Sequence, residues 1–162
     1  MKKLLSAVIA AAMLLSVLSA CSSNAGSDLS NEDLAKIINE NGNEMTEYNP
    51  AAALDSGDEN LSTLLQWQEW DKANFEKGAF SFSLMNVQAY TIAIVKPAEG
   101  KKDAVLKYFA DYQKQMENNF EMYLVDQYDI AKAAVTQEVN GYIVFVMAEG
   151  ADSIAANIKA KL

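Results

Sequence analysis

Two short stretches alternate apolar and smaller side chains with a period of two. Phe80, Phe82 and Leu84 alternate with serines, which predicts a half-buried β-strand beginning near Gly78. Residues 90–95 alternate in the same way, but the side chains between Tyr90, Ile92 and Ile94 are also apolar or small. This second strand should therefore be buried on both faces, and we expect it to end before Pro97.

Residues 99–123 have the period of a long amphipathic helix instead. Their apolar side chains recur every three or four residues and form one stripe: Val105, Phe109, Tyr112, Met116, Phe120 and Tyr123. Asp103, Lys107 and Asp111 follow another line at i, i+4, which marks the solvent face. The stripe predicts that Tyr123, like the others, packs on the core.

The C-terminal third predicts a hairpin and a final helix. Asn140-Gly141 separates residues 135–139 from residues 142–147, and this dipeptide is the strongest two-residue signal for a type I′ turn. From about Ala151 a helix follows, with one apolar side formed by Ile154, Ala155, Ile158 and Leu162.

The pattern before Gly78 is weaker. Ser30, with Asp33 three residues later, predicts a helix start, and Gly42 predicts its end. Residues 42–60 indicate a polar loop, with one turn at Asn49-Pro50. A short helix around residues 61–65 should then lead toward Trp67 and Trp70.

Strand, strand and helix thus occur twice in residues 78–162. Tyr90-x-Ile92-x-Ile94 before Ala98-Glu99-Gly100 resembles Tyr142-x-Val144-x-Val146 before Ala148-Glu149-Gly150, which fits either a decayed duplication or two similar turns. The simplest architecture is an α+β two-layer sandwich, with a mainly antiparallel sheet of about four strands and helices on one face. We expect one domain over residues 29–162, with a helical and loop part at 29–77 and a core at 78–162.

The first 21 residues have a different character. Lys2 and Lys3 precede an apolar run over residues 4–18, which is short for a membrane span and typical of a secretory signal peptide. The ending Leu18-Ser19-Ala20-Cys21 resembles the lipobox of bacterial lipoproteins. The resemblance implies cleavage between Ala20 and Cys21, and a diacylglyceryl group on Cys21 that holds the protein at the extracytoplasmic face of the membrane. The alternative is a plain signal peptide or membrane anchor with an incidental Cys.

The amino-acid composition limits the kinds of functional site that the chain can form. His and Arg are absent and Cys21 is the only Cys, so classical catalytic triads, His or Cys metal clusters and intrachain disulfides are excluded. Removal of residues 1–20 changes the formal net charge from −9 to −11, which leaves no basic footprint for nucleic acid. Residues 21–28 are small and polar and indicate a tether between lipid and domain. We expect no catalytic residues, metal or cofactor, although a carboxylate-based hydrolase stays a distant alternative.

Two polar segments offer candidate binding chemistry. Trp67 and Trp70 stand among polar residues, where they either stack on a sugar or protein partner or cover one end of the core; we favour the core for them. The acidic segment 55–60 has oxygen ligands that suit Ca²⁺, but Gly57 is misplaced for an EF-hand loop. A solvated loop is therefore the better interpretation there.

The region from Ser81 onward resembles a family of small Firmicutes lipoproteins known as a domain of unknown function. The resemblance is carried by Ile92-Ala93-Ile94-Val95-Lys96, by Tyr112-Gln113 through Tyr123, by Ala131 to Val135, and by Gly141-Tyr142-Ile143-Val144. It implies a lipoprotein without assigning an activity. Together with the composition, it favours a non-catalytic binding or interaction module at the cell surface, with a small-ligand or glycan binder using Trp67 and Trp70 as the alternative.

Overall fold

The computed structural model describes residues 28–162, which form six α-helices, one 3₁₀ turn and five strands. The helices are α1 (Asn31–Asn41), α2 (Met45–Tyr48), α3 (Glu59–Trp67), α4 (Lys102–Phe120), α5 (Val125–Lys132) and α6 (Ala151–Lys159), with the 3₁₀ turn at Lys72–Asn74. The strands are β1 (Ala52–Ala53), β2 (Phe75–Phe82), β3 (Thr91–Pro97), β4 (Val135–Val139) and β5 (Tyr142–Met147). The signal peptide, Cys21 and most of the expected tether lie outside the described residues.

All five strands belong to one antiparallel sheet with the order β1-β2-β3-β5-β4. The central strand β3 pairs with the interior strand β5 from Thr91↔Met147 to Val95↔Ile143. The α+β class and the antiparallel sheet are therefore confirmed. The sheet has five strands rather than about four, because the two-residue β1 pairs with β2 at its edge.

The helices cover both faces of the sheet, so the expected two layers are corrected to three. One core joins the sheet residues Phe80, Val95 and Phe145 to α3, α4 and α5. The other core joins the alternate residues, such as Ile92 and Val144, to α1 and α6. The physical reason is that β3 and β5 are apolar at odd and even positions alike, and each apolar face requires a layer of helices.

Several local predictions are confirmed by the backbone. Ser30 and Asp33 form a capping box at the start of α1, in which the Asp33 amide donates to Ser30 Oγ and the Ser30 amide donates to the Asp33 carboxylate. Asn140 and Gly141 have φ of 50° and 86°, as a type I′ turn between β4 and β5 requires.

Other predictions are wrong in detail. β2 begins at Phe75 rather than near Gly78, and it is not half-buried, because Ser81 on its second face is fully buried. The long helix ends at Phe120, so Tyr123 lies beyond the stripe and is 86% exposed. The polar segment 42–60 contains α2 and β1. The helix α5, of which only Ala131 is buried, is absent from the prediction because it has no apolar stripe.

The antiparallel topology gives the domain two ends. We call one of them the near end: here β2 begins, β3 finishes and α1 starts, and the Gly78 amide donates to Asn31 Oδ1. At the far end, β2 finishes, β3 begins and α1 stops, and the side chain of Asn43 donates to the Glu149 carbonyl that follows β5. Among residues 28–162, no helix is both long and apolar enough to cross a membrane.

Candidate interaction surface

Trp70 is a core residue. It is 5% exposed, and its ring lies edge-on to Phe109 and Tyr112 at centroid distances of 5.4 and 5.5 Å and stacks against Tyr108 at 6.0 Å. The chain reaches this position through a turn in which Glu69 adopts φ 54° and the Trp70 amide donates to the Leu65 carbonyl. The indole therefore covers the α4 side of the sheet, as we favoured for it, and is closed to a ligand.

Trp67 has the opposite environment: it is the last residue of α3 and is 65% exposed, so the core position that we favoured for it is wrong. The two indoles consequently do not form a joint stacking platform. Any contact between this region and a sugar or a protein would rest on Trp67 alone.

The acidic segment 55–60 has a structural role. Asp58 is the N-cap of α3, and its carboxylate accepts from the Leu61 amide at 2.7 Å. Among residues 28–162, no group of three or more acidic side chains is arranged to hold a metal ion. The exposed loop that we expected is limited to residues 55–57, because Asp58 is half-buried and Glu59 and Asn60 belong to α3.

At the near end, the first described residues are held against the sheet. Lys77 Nζ forms an ion pair with Asp28 at 2.7 Å and donates to the Leu29 carbonyl at 2.9 Å, while Lys96 Nζ lies 3.9 Å from the same carboxylate. The hydrogen bond from Lys77, followed by its charge, lowers the pKa of Asp28. The chain therefore joins the domain at a defined point on the near end.

A buried hydrogen-bond chain supports the far end. Ser81 Oγ donates to the Asn49 carbonyl, and Tyr90 Oη lies 2.7 Å from Ser81 Oγ and 2.8 Å from Thr46 Oγ1. Because each hydroxyl has one proton, Tyr90 donates to Ser81 and Thr46 donates to Tyr90. Burial raises the pKa of Tyr90, although the two hydroxyl partners oppose the shift. These hydrogen bonds fasten α2 to β2 and to Tyr90, the residue before β3.

Exposed apolar side chains gather at this far end. They come from α2, from the β2–β3 loop, and from the α4–α5 turn with the first residue of α5, and they are Tyr48, Leu84, Met85, Val87, Met122, Tyr123 and Val125. We call this set the distal rim. A hydrogen bond from the Ala89 amide to Gln127 Oε1 ties the loop to α5, and Tyr48, Leu84 and Met85 line one cavity of about 310 Å³.

Carboxylates surround the distal rim. Exposed acidic residues at this end are Glu44, Glu47, Glu121, Asp126, Asp129 and Glu149. Lys132 lies at the end of α5, where its Nζ is 5.6 Å from the Tyr128 ring centroid. The far end thus combines exposed apolar side chains with an excess of negative charge.

Sequence patterns do not single out the distal rim, although they contain a signal for it. Met85 and Val87 come after the alternation of β2 has stopped, and Met122 and Val125 do not fit the stripe of α4. Apolar residues that fall outside every predicted periodicity are the ones left without a core position.

One family model matches the chain, and its description is "Domain of unknown function (DUF4358)". The match covers residues 62–148, more than half of the chain, and includes β2 to β5 with α4 and α5. It starts before Ser81, where we placed the start of the resemblance, and it supports the expected relation to a family without a known function. No curated protein and no solved structure matches.

Proposed function

The chain belongs to the DUF4358 family, a domain of unknown function, and from that premise we propose that it is a lipid-anchored extracytoplasmic protein whose domain acts as a non-catalytic interaction module. The single observation that carries the interaction role is the distal rim. Scattered exposed apolar residues are normal on a monomer, whereas seven large ones at one end are typical of a partner surface.

The anchor is supported by the first 21 residues. A positive start, a short apolar run and the chain's only Cys directly after Leu18-Ser19-Ala20 are what a lipobox requires. Two acyl chains on Cys21 would give stable membrane attachment, whereas a single chain gives only marginal binding. The acidic body of the protein would be repelled by anionic headgroups, so attachment would depend on the lipid.

The position of the first described residues gives such an anchor an orientation. Asp28 is bound by Lys77 and Lys96 at the near end. It follows Cys21 by seven positions, and a chain of seven such steps spans at most ~25 Å. A lipid on Cys21 would therefore keep the near end close to the membrane and direct the distal rim away from it.

The charge around the distal rim indicates the chemistry of the partner. Apolar side chains framed by carboxylates complement a protein surface that presents apolar side chains framed by Lys or Arg. Such charges mainly accelerate and select the encounter, while the buried apolar anchors contribute most of the affinity.

The anchor is tested by the Cys21→Ser variant expressed in its own host. The wild-type protein should fractionate with membranes, and the variant should be processed at another site or remain as precursor. Membrane retention of a Cys21→Ser protein whose signal has been removed would refute the lipid anchor. Mass spectrometry of the mature N-terminus provides an independent measurement.

The interaction surface is tested by a photo-crosslinking amino acid placed at Met85, with the same substitution at Trp67 as the matched control. Met85 should yield a discrete crosslinked product on intact cells, and Trp67, toward the other end of the domain, should not. Tyr123→Asp should abolish the Met85 product because it places a charge in the rim, and raised salt should weaken it. Equal products from both positions, or a Met85 product that Tyr123→Asp leaves unchanged, would refute the proposed surface.

A further inference from the structure

Beside the distal rim lies a second feature, a cavity of about 220 Å³. Four segments form its walls: α2 with the turn before it, the end of the β2–β3 loop, α5, and the turn before α6. Its polar lining includes Glu44, Tyr48, Gln88, Gln127 and Glu149. We call it the amide pocket. Pockets for drug-sized ligands measure ~300–1,000 Å³, so an occupant of this one must be small.

The walls of the amide pocket are tied to one another. Asn43 Nδ2 donates to the Glu149 carbonyl at 3.1 Å, and the Ala89 amide donates to Gln127 Oε1 at 2.7 Å. The buried Tyr90, which also lines the pocket, holds α2 through Thr46. Each of these bonds joins two different walls, so the pocket is already formed before a ligand arrives, which lowers the entropic cost of binding.

Two side-chain amides of the lining, those of Gln88 and Gln127, are held at their oxygen ends. Gln127 Oε1 is used by the Ala89 amide, and Gln88 Oε1 accepts from Ser83 Oγ at 2.6 Å. These two bonds fix which end of each amide is the oxygen, and the other end, Nε2, can only donate. Within residues 28–162, neither Nε2 donates to a protein acceptor. The pocket therefore offers two fixed donors to a hydroxyl or carbonyl oxygen.

Two carboxylates complete the lining. Glu44 precedes α2 and Glu149 follows β5, and in the part of the chain that the structure describes neither forms an ion pair with a Lys. Tyr48, 80% exposed, adds an aromatic ring at the edge of the pocket. Carboxylates and an aromatic ring both attract an organic cation.

We propose that the amide pocket binds a small ligand in which a primary ammonium group stands next to hydroxyl or carbonyl oxygens, as in an amino sugar. The ammonium group would lie toward Glu44 and Glu149, and the neighbouring oxygens would accept from the Nε2 groups of Gln88 and Gln127. This site goes beyond the interaction role of the distal rim, and it does not depend on a lipid at Cys21. It is also separate from Trp67 and Trp70.

The test uses three related sugars and the full-length protein in a non-ionic detergent. Protonated glucosamine, neutral glucose and anionic glucuronate are titrated separately, and the side-chain amide signals of Gln88 and Gln127 are followed by NMR. We expect glucosamine to shift both signals with a Kd on the order of 1 mM, as suits so small a ligand. Glucose should bind about fivefold more weakly, because an exposed charge pair contributes up to that factor, and glucuronate should bind weakest.

The double variant Glu44→Gln and Glu149→Gln removes both charges without changing the shape of the pocket. Its affinity for glucosamine should fall about fivefold, to that of glucose, while the backbone spectrum stays that of the folded protein. Glu47→Gln, in α2 but outside the pocket, should leave affinity unchanged. Equal affinity of the wild-type protein for glucosamine and glucose, unshifted Gln88 and Gln127 signals, or undiminished binding by the double variant would each overturn the proposal.

Discussion

Replacing the two indoles one at a time separates the core from the surface. Trp70→Ala removes a ring that packs against Phe80, Tyr108, Phe109 and Tyr112 at centroid distances between 5.4 and 6.2 Å. Truncation of a core Trp to Ala costs ~3–5 kcal/mol, to which lost aromatic pairs contribute ~0.5–1.5 kcal/mol each. We therefore expect a loss of about 4 kcal/mol. Trp67→Ala should change the free energy of unfolding by less than ~0.5 kcal/mol.

A loss of this size is large compared with the stability of a domain, which is ~5–15 kcal/mol. For a domain of this length, each kcal/mol shifts the Tm by roughly 3–5 °C, so Trp70→Ala should melt ~10–20 °C below the wild-type protein. Thermal and urea unfolding followed by circular dichroism measure both quantities. Trp70→Phe provides the matched control, because it retains an aromatic ring and should recover part of the loss.

The same variants report the environment of each remaining indole. In Trp67→Ala the emission comes from the buried Trp70 and should be blue-shifted, and in Trp70→Ala it comes from the exposed Trp67 and should be red-shifted. Equal destabilisation by the two alanine variants, or emission at the same wavelength from both, would refute the assignment of Trp70 to the core and Trp67 to the surface.

Three further predictions concern backbone, caps and titration. Gly141→Ala should cost about 1 kcal/mol in urea unfolding, because its φ of 86° strains any Cβ even though a Cβ there meets no neighbour; an unchanged midpoint would contradict the type I′ turn. Tyr90 has a raised pKa in the folded state, so its contribution to the free energy of unfolding is complete below pH 10.0 and is lost as pH rises further. Tyr90→Phe should therefore reduce the fall of the free energy of unfolding at alkaline pH. The hydrogen bonds from Ser30 lower the pKa of Asp33, so the capping box should stop stabilising the folded protein as pH falls below 3.8. Ser30→Ala should make the free energy of unfolding depend less on pH in this acid range.

The parts of the fold that sequence predicts well are those determined by local chemistry. Asn140-Gly141 defines its turn because both residues need positive φ, and Ser30 with Asp33 defines a helix start because their side chains satisfy free amides. The stripe of α4 is equally local, at least as far as Phe120. Each of these signals lies within a few residues of the structure that it predicts.

The parts that sequence missed depend on partners far away in the chain. Ser81 looks like a solvent position of a half-buried strand, but its hydroxyl is satisfied by Tyr90 and by the Asn49 carbonyl, so it can be buried. The second layer of helices has the same origin: whether Ile92 meets solvent or α1 depends on a helix some 55 residues earlier. The distal rim follows only once the ends of the strands are known, since it is assembled from three separate connections.

The interior position of β5, the last strand in the sequence, has a consequence for the order of folding. β3 pairs with β2 on one side and with β5 on the other. Thr91 can therefore pair with Met147 only after the chain has been made as far as residue 147. Contacts between distant parts of a chain are slow to form, because the intervening loop must close first. Until residues 142–147 are released, β3 presents an unpaired apolar edge of the kind that other chains can capture. A protein built in this way folds only after its synthesis or its export is nearly complete, and a chain stopped before β5 would aggregate rather than form a smaller domain.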